Sequence, residues 1–173
     1  TFLMEEKNRE PFSYDPSSID MLFITHAHMD HIGRVPKLVK EGFRGRIIST
    51  PETKELADPM LEDALNILDE EARRNGVLPL YERKDLDQSL LLWEGIPYGE
   101  RKNLFNGVFV KPMDAGHVLG SSMFQFELDR AIYGEGEGES GFTKIVFTGD
   151  LGNSPTPLLR DTEKINGVDY LVM

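Results

Sequence analysis

The stretch Met21-Leu22-Phe23-Ile24-Thr25-His26-Ala27-His28-Met29-Asp30-His31 decides how this chain is read. An apolar run leads straight into three histidines and one aspartate within six positions, in a chain that holds only four histidines. Residues 19–25 have the character of a short buried strand. His26 and His28 are two apart, so in an extended segment both rings point to one side. Asp30 and His31 follow at the turn into a helix and can aim at a neighbouring point. A single histidine near a helix start is usually a cap or a core residue. Four candidate ligands in six residues after an apolar strand call for a metal, and two metals can be accommodated.

Working outward, the fourth histidine lies in Asp114-Ala115-Gly116-His117 and a further aspartate in Gly149-Asp150-Leu151-Gly152-Asn153. Each of the three polar segments (25–31, 114–121 and 149–153) follows an expected strand. In layered α/β folds, sites form where loops leave strand ends. The natural assignment is two adjacent sites: His26, His28 and His117 hold the first metal, Asp30 and His31 the second, and Asp150 bridges both. Flanking glycines allow Asp150 a close approach. Metals ~3.5–4 Å apart can share a hydroxide formed at neutral pH. That hydroxide attacks an electrophilic carbon or phosphorus while the metals stabilise the oxyanion charge.

Composition narrows the chemistry. The 173 residues suggest one domain with a real core. No stretch approaches the ~18 apolar residues of a membrane span. Cysteine is absent, which removes disulfides and thiolate ligands. A nitrogen and oxygen ligand set suits zinc, manganese or iron in a hydrolytic site better than a closed structural zinc knot. No signal peptide is visible, although the sequence starts at Thr1. A net charge of −11 argues against wrapping nucleic acid by charge alone. Arg34, Lys37, Lys40, Arg44 and Arg46 form a local basic cluster, read as a solvated helix face or, more sharply, as a phosphate-facing rim.

Along the chain, residues 1–18 read as a polar connector. Residues 32–42 have helical spacing with Gly42 as the stop. Arg46–Ser49 is a second strand, and Thr50-Pro51 a capped helix start. The helical pattern runs on to Gly76, with Pro59 expected to kink or split it. A further helix is expected over 85–93, with Leu90, Leu91, Leu92 and Trp93 in the core. Residues 107–113, 122–128 and 144–148 read as strands, the last one buried. The Gly-Glu repeats within 129–142 read as a mobile acidic hairpin tip. An apolar run begins at 170–173, which suggests a fragment of something longer.

His26-Ala27-His28-Met29-Asp30-His31 resembles the His-x-His-x-Asp-His signature of the metallo-β-lactamase fold superfamily in full. Asp114 to Ser121 and Phe147-Thr148-Gly149-Asp150-Leu151-Gly152 look like the later motifs that supply a histidine and the bridging aspartate. The wording is closest to the β-CASP branch, the RNA-processing metallohydrolases, as are Phe43-Arg44-Gly45, the segment from Ile47 to Thr53 and the region from Leu80 to Gly99. The resemblance covers nearly the whole chain. It implies an α/β fold, a metallo-β-lactamase-like αββα sandwich, with the dinuclear site at one edge of the two sheets. It also implies that residues 1–173 are a partial metallo-β-lactamase domain. N-terminal strands would precede Thr1. A β-CASP domain and the last metal-binding histidine would follow Met173.

The function implied is a zinc-dependent ribonuclease that hydrolyses RNA phosphodiesters. Two Zn2+ are expected per complete site, with Mn2+ or Fe as alternatives, and Asp30 and Asp150 as the catalytic carboxylates. RNA is the expected partner, reached through a domain outside this segment. No membrane partner is expected, a homodimer is allowed, and the location implied is cytoplasmic. Two other readings stay open: a hydrolase of the same superfamily acting on a thioester, lactone or small phosphodiester, and an inactive metal-binding scaffold. The segment alone is expected to be inert.

Overall fold

A computed structural model describes residues 7–134 and 140–173. The connector's first six residues and the centre of the Gly-Glu repeats lie outside the described residues. The strand expected before the histidines is β1 (Met21–Phe23), and the backbone continues as extended chain, with Ile24 N–H donating to Ile48 O at 2.8 Å. β1 pairs in parallel with β2 (Arg46–Ser49), which pairs in parallel with β3 (Trp93–Gly95). A second sheet holds β4 (Lys102–Phe105), β5 (Val108–Asp114), β6 (Ser122–Asp129), β7 (Phe142–Phe147) and β8 (Tyr170–Val172), in that order. The first four run antiparallel, and β8 joins β7 in parallel.

The helical reading of 32–42 becomes two short helices, α1 (Met29–Ile32) and α2 (Val35–Lys40). The turn at Gly33-Arg34 separates them, and a proline near the start of α2 cannot supply a helical N–H. Gly42 takes φ +119° and ends α2 as its position suggested. Thr50 caps the long helix α3 (Pro51–Asn75) by accepting from Thr53 N–H at 3.2 Å. Of the kink or split expected at Pro59, the split does not occur: α3 runs unbroken through it. Ala57, Leu61 and Leu65 on either side of it are buried in the core, and tertiary packing of that face outweighs a local cost of about 3 kcal/mol. Gly76 closes α3 in the left-handed conformation.

The helix expected over 85–93 is α4 (Arg83–Leu91), and Trp93 begins β3 instead. Trp93 is buried and donates from Nε1 to Ser49 Oγ at 2.8 Å, which ties β3 to β2. Leu90 and Leu92 pack on the core as expected, but Leu91 points outward and is 80% exposed.

Three clusters define the layers. Ile24, Ile32, Leu38, Phe43, Leu61 and Tyr81 belong to the cluster between the helices and the parallel sheet. Ile48, Ile96, Val110 and Phe124 fill the space between the two sheets, joined by Phe23 and Phe126. Met113, Ala115, Met123 and Val146 lie in a third cluster on the second sheet, covered by Ile165 and Val168. The described residues thus form an α–β–β stack. The single turn α5 (Arg130–Tyr133) follows β6, and its Tyr133 lines a cavity with Phe23 and Phe126 on the side that faces the parallel sheet. The expectation of a buried strand at 144–148 is corrected: Val146 and Thr148 are buried, while Phe147 is 42% exposed.

The basic cluster is mixed: Lys40 and Arg44 are exposed, as a solvated face implies, while Lys37 is not. Lys37 is buried, with its ammonium on Glu10 O at 2.5 Å and Glu41 Oε1 at 2.7 Å. Lys40 donates to Leu80 O, Arg44 to Val39 O and Phe43 O, and Arg46 pairs with Glu94. Arg34 donates to Glu10 O and lies over the Phe12 ring. Arg34, Lys37, Lys40 and Arg44 fasten the N-terminal segment and two loops to α2, while Arg46 joins β2 to β3. The sequence pattern alone hides the bonds of Arg34, Lys37 and Lys40, whose acceptors include backbone carbonyls 24–40 residues away.

Candidate metal centre

All three polar segments leave their strands at one edge of the stack. The segment holding His26 and His28 follows β1, and His31 sits within α1. The segment holding His117 joins β5 to β6, and Asp150 lies just past β7. Hydrogen bonds cross between them. Ser122 N–H, at the start of β6, donates to Thr25 O at 2.7 Å. Gly152 N–H donates to Ala115 O at 2.9 Å. A Cβ on Gly152 would fall 1.7 Å from Gly116 O, so the third segment lies directly against the second.

The His117 segment is itself a folded turn. Asp114 Oδ1 accepts from Gly116 N–H at 2.8 Å, and Ser121 Oγ accepts from the N–H groups of His117 and Val118 at 3.0 and 3.1 Å. Thr50 and Thr53 at the start of α3 both donate to Gly120 O, at 2.6 and 2.8 Å. Tyr98 OH donates to Ser121 O at 2.8 Å.

The side chains converge. His26 Nε2 lies 3.0 Å from His28 Nδ1, and His117 Nε2 lies 3.3 Å from the same His28 atom. Asp150 Oδ2 is 3.6 Å from His117 Nε2 and 3.9 Å from His26 Nε2. One ligand atom from each of these four residues fits within 4.8 Å of all the others. Four ligands at tetrahedral zinc bond lengths stand about 3.3–3.4 Å apart. The four distances above bracket that value and the remaining pairs stay within 4.8 Å, so the three imidazoles and the carboxylate suit a single zinc-type ion. Their protonation fits as well. Burial, with smaller effects from His31 and His28, pulls His26 down to about 4, against the opposing pull of Asp150. The imidazole is therefore neutral at pH 7, and ring nitrogens that face one another need a proton or a cation between them.

The second half of the expected ligand set is looser. His31 Nε2 lies 3.8 Å from Asp150 Oδ1 and 3.6 Å from Asp30 Oδ2. The Asp30 side chain is 80% exposed, and that of His31 is 30% exposed. All six sequence-derived ligand positions thus lie at this edge, with His26, His28, His117 and Asp150 forming the tight group and Asp30 and His31 flanking it. A cavity of about 530 Å³, lined by Phe23, Thr25, His31, Phe124, Gly149 and Asp150 among others, opens beside them.

Hydroxyl-bearing residues complete the site. Thr50, expected only as a helix cap, and Thr25, Thr53, Ser121 and Ser122, given no role from the sequence, hold the ligand segments in place, yet they carry no metal-ligand pattern of their own. Their nearness to the histidine motifs was the one available signal.

Comparison with known proteins agrees with this geometry. Residues 1–130 match the family model described as Metallo-beta-lactamase superfamily. The chain is 35% identical over 157 residues to Ribonuclease TTHA0252 of Thermus thermophilus, covering 91% of this chain and 32% of that protein. It is 34% identical over 150 residues to Cleavage and polyadenylation specificity factor subunit 3 of Dictyostelium discoideum, covering 86% of this chain and 17% of that one. It is 32% identical over 147 residues to Transcription termination factor FttA of Thermococcus kodakarensis, covering 84% and 20% respectively. The chain therefore spans a third or less of the length of these relatives. No described helix is long and apolar enough to cross a membrane. By its family match, the chain belongs to the metallo-beta-lactamase superfamily.

Proposed function

We propose that the protein carrying this chain is a zinc-dependent ribonuclease of the β-CASP type that hydrolyses RNA phosphodiester bonds. The observation that carries the reading is the convergence of His26, His28, His117 and Asp150 within 4.8 Å at the edge of the two sheets. Relatives named as a ribonuclease and as a cleavage and polyadenylation factor support the substrate class.

His26, His28 and His117 would hold one ion, and Asp30 with His31 a second. Asp150 has an oxygen for each, Oδ2 toward His26 and His117 and Oδ1 toward His31. Bound metal supplies an activated water at neutral pH and neutralises charge on the phosphate. The buried His26 would serve as a neutral nitrogen donor, and the exposed Asp30 carboxylate would orient the water for in-line attack while also ligating the second ion. Because the chain carries a net charge of −11, the RNA strand would be gripped mainly by a further domain of the whole protein. A cytoplasmic location goes with this reading.

The test is to assay the full protein, loaded with zinc, against labelled RNA and against a panel of lactones and thioesters. RNA cleavage that a chelator stops and zinc restores is expected. Turnover of a thioester or lactone with intact RNA would overturn the ribonuclease reading in favour of another hydrolase of the superfamily.

A further inference from the structure

Thr25 touches all three ligand-bearing segments. Its hydroxyl oxygen lies 3.1 Å from His26 Nδ1. Its carbonyl accepts from Ser122 N–H at 2.7 Å and from Ser122 Oγ at 3.3 Å, at the end of the turn that holds His117. Its side chain also forms the seat for Gly149. A Cβ added to that glycine would fall 2.7–2.8 Å from Thr25 Cβ, Cγ2 and Oγ1. Gly149 has φ +56° and immediately precedes Asp150. One residue thus sets the separation of His26, the His117 turn and Asp150.

The hydroxyl has a more specific consequence. His26 presents Nε2 to His28 and Asp150, so a metal would take Nε2. The ring proton must then sit on Nδ1, and Thr25 Oγ1 is the acceptor placed for it. We infer that Thr25 is a positioning residue of the metal centre: its hydroxyl fixes His26 as the Nδ1–H tautomer, leaving the Nε2 lone pair for the ion. This rests on the metal-site reading above. Partners of this kind, one bond beyond the ligands, alter metal affinity by about 10- to 100-fold when removed.

The test uses Thr25→Val, which keeps the branched shape and loses the hydroxyl, and Thr25→Ser, which keeps the hydroxyl. Zinc affinity of the full protein is measured by competition with a chromophoric chelator. The His26 tautomer is read from nitrogen NMR of the histidine-labelled, metal-free protein. Thr25→Val should weaken zinc binding by about 10- to 100-fold and lower the Nδ1–H fraction of His26, while Thr25→Ser stays near wild type. Unchanged zinc affinity in Thr25→Val, equal weakening in Thr25→Ser, or wild-type His26 in the Nε2–H form would each overturn the inference. Failure of the wild type to bind zinc would instead overturn the metal reading, and the tautomer measurement would still decide the role of the hydroxyl.

Discussion

Asp150 Oδ1 lies 3.8 Å from His31 Nε2. Its other oxygen, Oδ2, faces His26 and His117. A carboxylate divided in this way between two histidine groups is suited to bridging two cations, and its loop is held by Gly149 on one side and Gly152 on the other. Asp150→Ala should therefore lower RNA cleavage by the full protein by at least about 100-fold and reduce its bound metal. Metal content and single-turnover cleavage measured on the same preparation check this, and wild-type turnover in the variant would contradict the bridging role.

The contact of Gly152 with the His117 turn predicts a second effect. With a Cβ only 1.7 Å from Gly116 O, Gly152→Ala must push the Asp150 loop away and strain the bond from Gly152 N–H to Ala115 O. A loss of about 1–3 kcal/mol is expected from overpacking of this kind. Denaturant unfolding gives the stability and chelator competition the metal affinity; both should fall together.

Stability of the metal-free protein should depend on pH through His26. Its folded value is lowered to about 4 from an ordinary 6.5, chiefly by burial. Between these values the unfolded chain binds more protons than the folded one, so stability falls as pH drops. The contribution is fully present above pH 6.5 and is lost progressively toward pH 4. Unfolding of chelator-treated wild type and His26→Gln across this range should show a steeper pH dependence for wild type. Parallel curves would contradict the assignment.

Thr50 joins the start of α3 to the His117 turn through Gly120 O. Thr50→Ala removes both the helix cap and this tie, at an expected cost of about 1–2 kcal/mol. Thermal unfolding should register the loss, and metal affinity should weaken less than in Asp150→Ala.

Much of this site was legible in the sequence because its ligands are local. His26 to His31 are six consecutive residues, and glycines mark the loops that carry His117 and Asp150. Apolar strands before each segment placed all three at one sheet edge. What stayed hidden depends on distant partners. Lys37 looked like a solvated charge, but its acceptors Glu10 and Glu41 bury it against Phe12. Pro59 allowed a kink or a split, and the buried face of α3 carries the helix through it without a split. Trp93 continued a helical pattern in sequence, yet its bond to Ser49 belongs to a sheet. The role of Thr25 is invisible in any one-dimensional pattern, since Ser122 and Gly149 are brought to it only by the fold.

The most direct measurement is the transition-metal content of the full protein, purified at neutral pH and analysed by elemental mass spectrometry. Close to two ions per chain are expected, falling on mutation of Asp150. A protein that contains none, and takes up none on incubation with zinc, would contradict the dinuclear centre.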